Sequence, residues 1–358
     1  MAPGAEAGAV VVEAALPDLV AQPGVHCETT TLRNLLSRAG VEISEPMLFG
    51  LGEGIDFEYH EVPGRPGPVF LTGRNGPSEL IRNACTALGV DWEEEQPADA
   101  DEATARVAEL VGAGHAVGVT VDIFHLDYFA SRAHFSAHCI AVVAVAPDTV
   151  TVVDTTQQGG LQTLPADSLR RARGSDEGYM PSPYRQFHVR PVPSDWSPRD
   201  LEARLPDLAW QALSRTMDRV LADRGPLLGP AGLRRCADEA PQWGTLLPRA
   251  EEQVAEFGRF WRYAGTGGTN FRGLFLEFLG ELEERERTPD LALAVDDFEE
   301  IEQQWVELID LMIEPPGDAG LTGRLTAVGE RMHAIADAEE RAFQRLQDMA
   351  DTRVQGWR

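Results

Sequence analysis

Between Cys27 and Gly40 the apolar residues Leu32, Leu35, Leu36 and Ala39 recur at helical spacing. That pattern predicts a helix with one buried face, Cys27 at its first turn and Gly40 as its stop. Residues 1–22 read as a loosely ordered lead, and Pro23-Gly24 turns the chain into this helix. Val41–Ile55 is apolar and glycine-rich; Gly50, Gly52 and Gly54 are expected to let backbone pass close beside the Cys27 helix, with Glu53 on the rim of the resulting cleft. Their spacing lacks the third glycine and the preceding strand of a dinucleotide loop. The proline and glycine content of 61–77 predicts a loop, Ser78–Leu88 a short helix, Val90–Glu95 a strand and Glu102–Gly112 a helix.

The period then changes. His115–Ile123, His138–Val145 and Thr149–Asp154 are β-branched runs, and Pro147-Asp148 between the last two predicts a hairpin. Helices followed by an antiparallel sheet make an α+β arrangement. From Ser197 onward the strand signal disappears. Pro198–Leu221, Ala231–Gln242, Arg249–Tyr263, Phe271–Glu286, Ala292–Met312 and Leu321–Met349 read as six helices with acidic outer faces, separated by Pro or Gly. The expected division is therefore an α+β domain over 1–193 and an all-α helical domain over 194–358 that walls the cleft.

Composition narrows the function. A formal charge of −27 argues against nucleic acid or an anionic membrane surface as partner. Arg170, Arg171, Arg173, Arg185 and Arg190 are the one candidate basic patch, and the surplus of acids is expected to pair with them. All the basic side chains are arginine, so no lysine Schiff base, P-loop clamp or amine general base is available. Cys27, Cys85, Cys139 and Cys236 match neither a zinc site nor a disulfide framework, and no bound metal or cofactor is expected. The first twenty residues carry Glu6, Glu13 and Asp18 without a basic start, and no apolar run approaches ~18 residues, so a cytoplasmic protein with free thiols is expected.

A helix start presents backbone N–H groups without intrahelical acceptors and the positive end of the macrodipole, which favours a thiolate and can hold an oxyanion. A cysteine nucleophile also needs a base and a group that orients the base. His138 opens one strand of the hairpin and Asp154 ends the other, so both lie near its open end, within reach by pleat geometry. His134 and His125 are rival bases, and Asp127 and Asp122 rival orienters. Cysteine at a helix start followed by histidine and an acid on adjacent antiparallel strands is the papain-like order. Gln22 lies five residues before Cys27, near where such enzymes keep an oxyanion glutamine, though out of register; Glu28 and Glu53 are the other residues assigned to the oxyanion site or cleft. Gly267-Gly268 feeding a helix with Arg272 in its first turn could seat an anion such as a pantetheine phosphate, or could equally be a flexible connection with Arg272 in a salt bridge.

The run His26-Cys-Glu-Thr-Thr-Thr-Leu-Arg-Asn-Leu-Leu36, with Ser44–Gly54, resembles the amino-terminal domain of the butirosin biosynthesis protein H family. Gly265–Leu279 resembles the helical domain that commonly follows it. The resemblance implies a papain-like fold with Cys27 as nucleophile, His138 as base and Asp154 as orienter. It also implies an acyltransferase that moves an acyl or aminoacyl group from a carrier-protein phosphopantetheine thioester to an amine, as on an aminoglycoside in the named member. The same triad would serve a thioesterase or a releasing cyclase, and an inactive relative would be a carrier-protein-binding scaffold. The partners implied are an acyl or peptidyl carrier protein and a small amine. The oligomeric state stays open, a homodimer included.

Overall fold

The computed structural model describes residues 14–355 apart from 17, 63 and 316, so most of the expected loose lead lies outside the described residues. In chain order the elements are β1 (Ala14–Ala15), α1 (Cys27–Ala39), α2 (Glu45–Leu51), β2 (Ile55–Val62), β3 (Arg65–Arg74), α3 (Glu79–Leu88), β4 (Trp92–Glu95), α4 (Ala100–Gly112), β5 (Val117–Val121), β6 (His138–Val145), β7 (Thr149–Val153), β8 (Leu161–Pro165), α5 (Ala166–Gly174) and β9 (Gln186–Val189). They continue as helices α6 (Pro198–Leu221), α7 (Gly229–Glu239), α8 (Trp243–Leu246), α9 (Ala250–Tyr263), α10 (Arg272–Glu286), α11 (Pro289–Ile313) and α12 (Gly320–Gln355).

Two compact units result, and neither is one run of sequence. The first holds the chain up to Ser44 together with Gly89–Pro198; the second holds Glu45–Leu88 together with Arg199 onward. A single cut at 193 therefore misassigns 45–88, which packs among the later helices.

In the first unit a seven-stranded antiparallel sheet runs β4-β9-β5-β6-β7-β8, and β1 pairs with the far end of β6. Thus Ala14–Ala15, expected to be loose, is a strand. The central strands β5 and β6 are near-continuous apolar runs because both faces are covered: every residue of β5 is buried, and of β6 all but Ala144. Helix α1 lies on this sheet through Leu32, Leu35 and Leu36, each at most 1% exposed. It stops at Gly40, whose φ of 97° admits the left-handed cap and whose N–H meets the carbonyls of Leu36 and Ser37.

In the second unit β2 and β3 form a two-stranded hairpin. Arg65–Arg74 was expected to be loop because of Pro66, Gly67, Pro68 and Gly73. A two-stranded sheet leaves each strand one free edge, where a missing N–H costs nothing, so the prolines are tolerated. The excursion 45–88 is held by specific contacts. A Cβ on Gly50 would fall 2.2 Å from Phe278 of α10, and Phe49 stacks on Phe271 at 5.8 Å. Asp56 pairs with Arg219 and Arg224, and the Trp261 indole N–H donates to the Leu71 carbonyl at 3.0 Å. The Gly50 approach was expected against the Cys27 helix; it is made against α10 instead. No described helix is long and apolar enough to cross a membrane.

A cysteine, a histidine and an aspartate at the open end of a hairpin

Helix α1 begins at Cys27 because His26 is extended (φ −110°, ψ 136°) and its carbonyl already accepts from Thr30 at 2.9 Å. As the first helical residue, Cys27 has a backbone N–H with no intrahelical acceptor. The preceding turn is pinned from two sides. Gly24 N–H donates to the Thr30 hydroxyl at 3.1 Å, and Gly24 carbonyl accepts from Thr156 N–H at 2.8 Å. This clip ties the start of α1 to the residues that follow Asp154.

His138 is the first residue of β6, opposite Val121 of β5, and Asp154 follows the last residue of β7. Across the hairpin the imidazole Nε2 lies 3.0 and 2.9 Å from the two Asp154 oxygens. Nδ1 is then left for another partner, and Cys27 lies close enough to this ring to favour its charged form. Cys27 is the one half-exposed cysteine of the four; the others are buried. Burial alone would push the His138 pKa down, but the Asp154 carboxylate and then Cys27 outweigh it and hold it above the usual imidazole range. Burial would raise the Asp154 carboxyl, and the imidazole, the Thr155 N–H and the Tyr128 hydroxyl together hold it lower. Both shifts favour an imidazolium facing a carboxylate.

Tyr128, absent from the sequence expectations, donates to Asp154 Oδ2 at 2.9 Å, and Phe129 beside it sets its ring edge-on to His138 at 5.1 Å. Burial and then the neighbouring Asp154 push the Tyr128 phenol up, so it remains a donor. Both residues sit on the 122–137 connection, where no periodicity marks them.

The rival pairings resolve differently. His134 Nδ1 contacts Asp122 Oδ2 at 2.6 Å, a second aspartate–histidine pair, and Asp127 accepts from Ser168 at 3.1 Å. Gln22 is not at the start of α1: its amide donates to Ser37 at 3.2 Å and Glu42 at 2.9 Å. Ser37 lies ten positions beyond Cys27, roughly 15 Å along the helix, so Gln22 cannot hold an oxyanion there. Glu28 is buried in the first turn of α1. Glu53 belongs to the second unit, where it pairs with Arg215 at 2.5 Å and lines a pocket of about 740 Å³ with Asn83 and Arg204. The expected anion seat at Gly267, Gly268 and Arg272 is overturned. Arg272 is 1% exposed; its Nε and Nη2 meet Glu339 at 2.7 and 2.9 Å, its Nη1 meets the carbonyls of Gly73 and Asn270, and its plane covers Trp305 at 4.6 Å. Four of its five N–H groups are thus taken and its charge is matched by a buried carboxylate, so it is not available to a phosphate. Of the candidate basic patch, Arg170, Arg171, Arg185 and Arg190 pair with Asp101, Asp167, Glu94 and Glu93, and Arg173 is buried.

Two family models match the chain. Residues 26–155 match butirosin biosynthesis protein H, N-terminal, and residues 167–346 match a domain of unknown function, DUF4872. The chain belongs to the butirosin biosynthesis protein H family. Comparison with curated protein sequences finds no match. Among solved structures, a crystal structure described as a C39-like peptidase from Bacillus anthracis is similar at 15% identity and a TM-score of 0.37, covering 50% of this chain and 97% of its own. The chain thus carries an α+β unit and a largely helical unit, and its family is one named for biosynthesis. An arrangement of thiol, imidazole and carboxylate in this order can generate a thiolate, form an acyl-thioester and return a proton to the leaving group.

Proposed function

We propose that the protein is an acyltransferase: Cys27 takes an acyl or aminoacyl group from a carrier-protein phosphopantetheine thioester and passes it to an amine. The observation that carries this reading is the His138 Nε2 contact with both oxygens of Asp154, with the partly exposed Cys27 at the start of α1 near enough to favour the charged form of the same ring. In the proposed sequence His138, as imidazolium, already holds the proton given up by Cys27, and the Cys27 thiolate attacks the thioester carbonyl. N–H groups at the start of α1 stabilise the oxyanion, and the pantetheine sulfur leaves with the proton from His138. An amine then attacks the acyl-Cys27 ester, loses a proton to His138 and leaves as the amide, while the Cys27 thiolate is restored. Asp154 keeps the ring oriented and charged at the steps where it holds a proton, and Tyr128 keeps Asp154 in place. Thioester to thioester to amide runs downhill, so no nucleotide is consumed. The family's name for butirosin biosynthesis supports a setting in specialised metabolism. Cys27, His138 and Asp154 are the catalytic residues in this reading.

The test is intact-mass spectrometry after mixing the protein with acyl- and aminoacyl-pantetheine thioesters, followed by addition of an amine. An adduct on Cys27 that the amine discharges as amide supports transfer. Discharge at the same rate by water alone would replace transfer by hydrolysis, and an adduct persisting in Cys27→Ala would remove the nucleophile.

A further inference from the structure

A second cluster of chemistry-bearing side chains lies in the first unit. Asp122, His125 and His134 bring one carboxylate oxygen and two imidazole nitrogens within 4.8 Å of one another. Asp122 ends the run of β5, His125 closes the short turn that follows, and His134 lies shortly before β6, so the strand pairing itself gathers them.

The carboxylate is rigid and dry. Asp122 is 0% exposed, and Oδ1 accepts from the N–H groups of Phe124 at 3.1 Å and Phe135 at 3.0 Å. Oδ2 accepts from the Ser175 hydroxyl at 2.8 Å and meets His134 Nδ1 at 2.6 Å. The two imidazoles are only partly covered, which leaves a way in from solvent. The His134 ring is fixed on its face by Phe124, stacked at 4.1 Å, and on its far nitrogen by Glu177, 3.3 Å from Nε2. Ligating histidines characteristically give their other N–H to a carboxylate, which fixes the tautomer and raises basicity. Glu177 is in that position.

We infer that Asp122, His125 and His134 form a binding site for a divalent transition-metal ion, the ion taking the place of the proton that His134 Nδ1 and Asp122 Oδ2 share. Two imidazoles and one carboxylate select zinc, nickel, cobalt or copper over magnesium or calcium. Three protein ligands leave one position for water or a small anion. The site sits at the root of the connection that carries Tyr128 and Phe129 to Asp154 and His138. An ion there would tie the two ends of that connection together. The cysteine spacing gave no hint of this site because none of its ligands is a cysteine.

The test uses Cys27→Ser protein, so that a thiolate cannot bind the metal, treated with chelator and titrated with Zn2+ and Co2+. One equivalent of Zn2+ should bind by calorimetry, Co2+ should develop ligand-field absorption without a thiolate charge-transfer band, and Zn2+ should raise the melting temperature. His125→Ala and His134→Asn, each checked for folding by near-ultraviolet circular dichroism, should weaken binding at least tenfold, and Glu177→Gln about 10- to 100-fold. Absence of Zn2+ binding in the Cys27→Ser protein, or binding that neither histidine substitution weakens, would overturn the assignment. These readouts are independent of acyl transfer.

Discussion

Removing the Glu339 carboxylate should be the most damaging single substitution in the second unit away from its apolar core. Glu339 and Arg272 are each 1% exposed, and Glu339 accepts from Arg272 Nε and Nη2 and from the Trp305 indole N–H at 2.8 Å. Glu339→Gln keeps the volume but turns an amide N–H toward a guanidinium, leaving a buried charge without its counterion. Breaking a buried pair from one side costs about 3–5 kcal/mol. At ~2–4 °C per kcal/mol for a unit of this size, that is a fall in Tm of roughly 10 °C. Replacing both partners with apolar residues, Arg272→Met with Glu339→Leu, removes the charge along with its partner. It should restore all but about 1–2 kcal/mol, the remainder reflecting the Trp305 N–H left without its acceptor and the Gly73 and Asn270 carbonyls left without the Arg272 donor. Urea unfolding followed by tryptophan emission reads this directly, since Trp261 and Trp305 lie edge-to-face at 5.2 Å beside the pair. A Glu339→Gln loss below about 1 kcal/mol, or a double variant as unstable as the two single losses added together, would refute the reasoning.

Iodoacetamide should label Cys27 alone in the native protein, by peptide mapping. Cys85, Cys139 and Cys236 are buried, and burial pushes their thiols up, that of Cys85 to about 12; comparable labelling of any of them before unfolding would contradict the burial pattern. The stability difference between wild type and Asp154→Asn should be widest between pH 3.8 and 6.5. The raised His138 contributes fully below 6.5 and loses its contribution as pH climbs toward its folded value, whereas the lowered Asp154 contributes above 3.8 and loses it as pH falls; melting curves across pH showing a flat gap would count against the ion pair. Gly50→Ala drives a Cβ to 2.2 Å from Phe278 and should cost about 1–3 kcal/mol in urea unfolding; an unchanged midpoint would mean that α2 is free to move off α10.

Much of the site was legible because it is written in local periodicities. The apolar stripe of α1 and Gly40 located Cys27, and the turn at Pro147-Asp148 set the hairpin whose pleat brings His138 and Asp154 together. What could not be read was chosen by distant partners. Tyr128 reaches Asp154 from an aperiodic connection 26 positions earlier. Arg272 follows a glycine-rich turn that suits a phosphate, and only Glu339, 67 positions later, decides otherwise. Gln22 sits near Cys27 in sequence, yet its extended segment runs alongside α1 and Asn34 holds its backbone from both sides. The allegiance of 45–88 is of the same kind: Gly50 declares a close approach, and nothing near it in sequence says that Phe278 makes it.

The interleaved order of the two units bears on how the protein is made. Translation delivers Met47, Leu48 and Phe49 more than a hundred residues ahead of the helices that bury them, a wait on the order of ten seconds at ribosomal rates. During that interval the β5 and β6 strands emerge beside an unsatisfied greasy segment that does not belong to their sheet. Expression hosts short of holding chaperones should therefore yield the shortened polypeptide 1–193 mainly as inclusion bodies, because that fragment never receives the surface its residues 45–88 require.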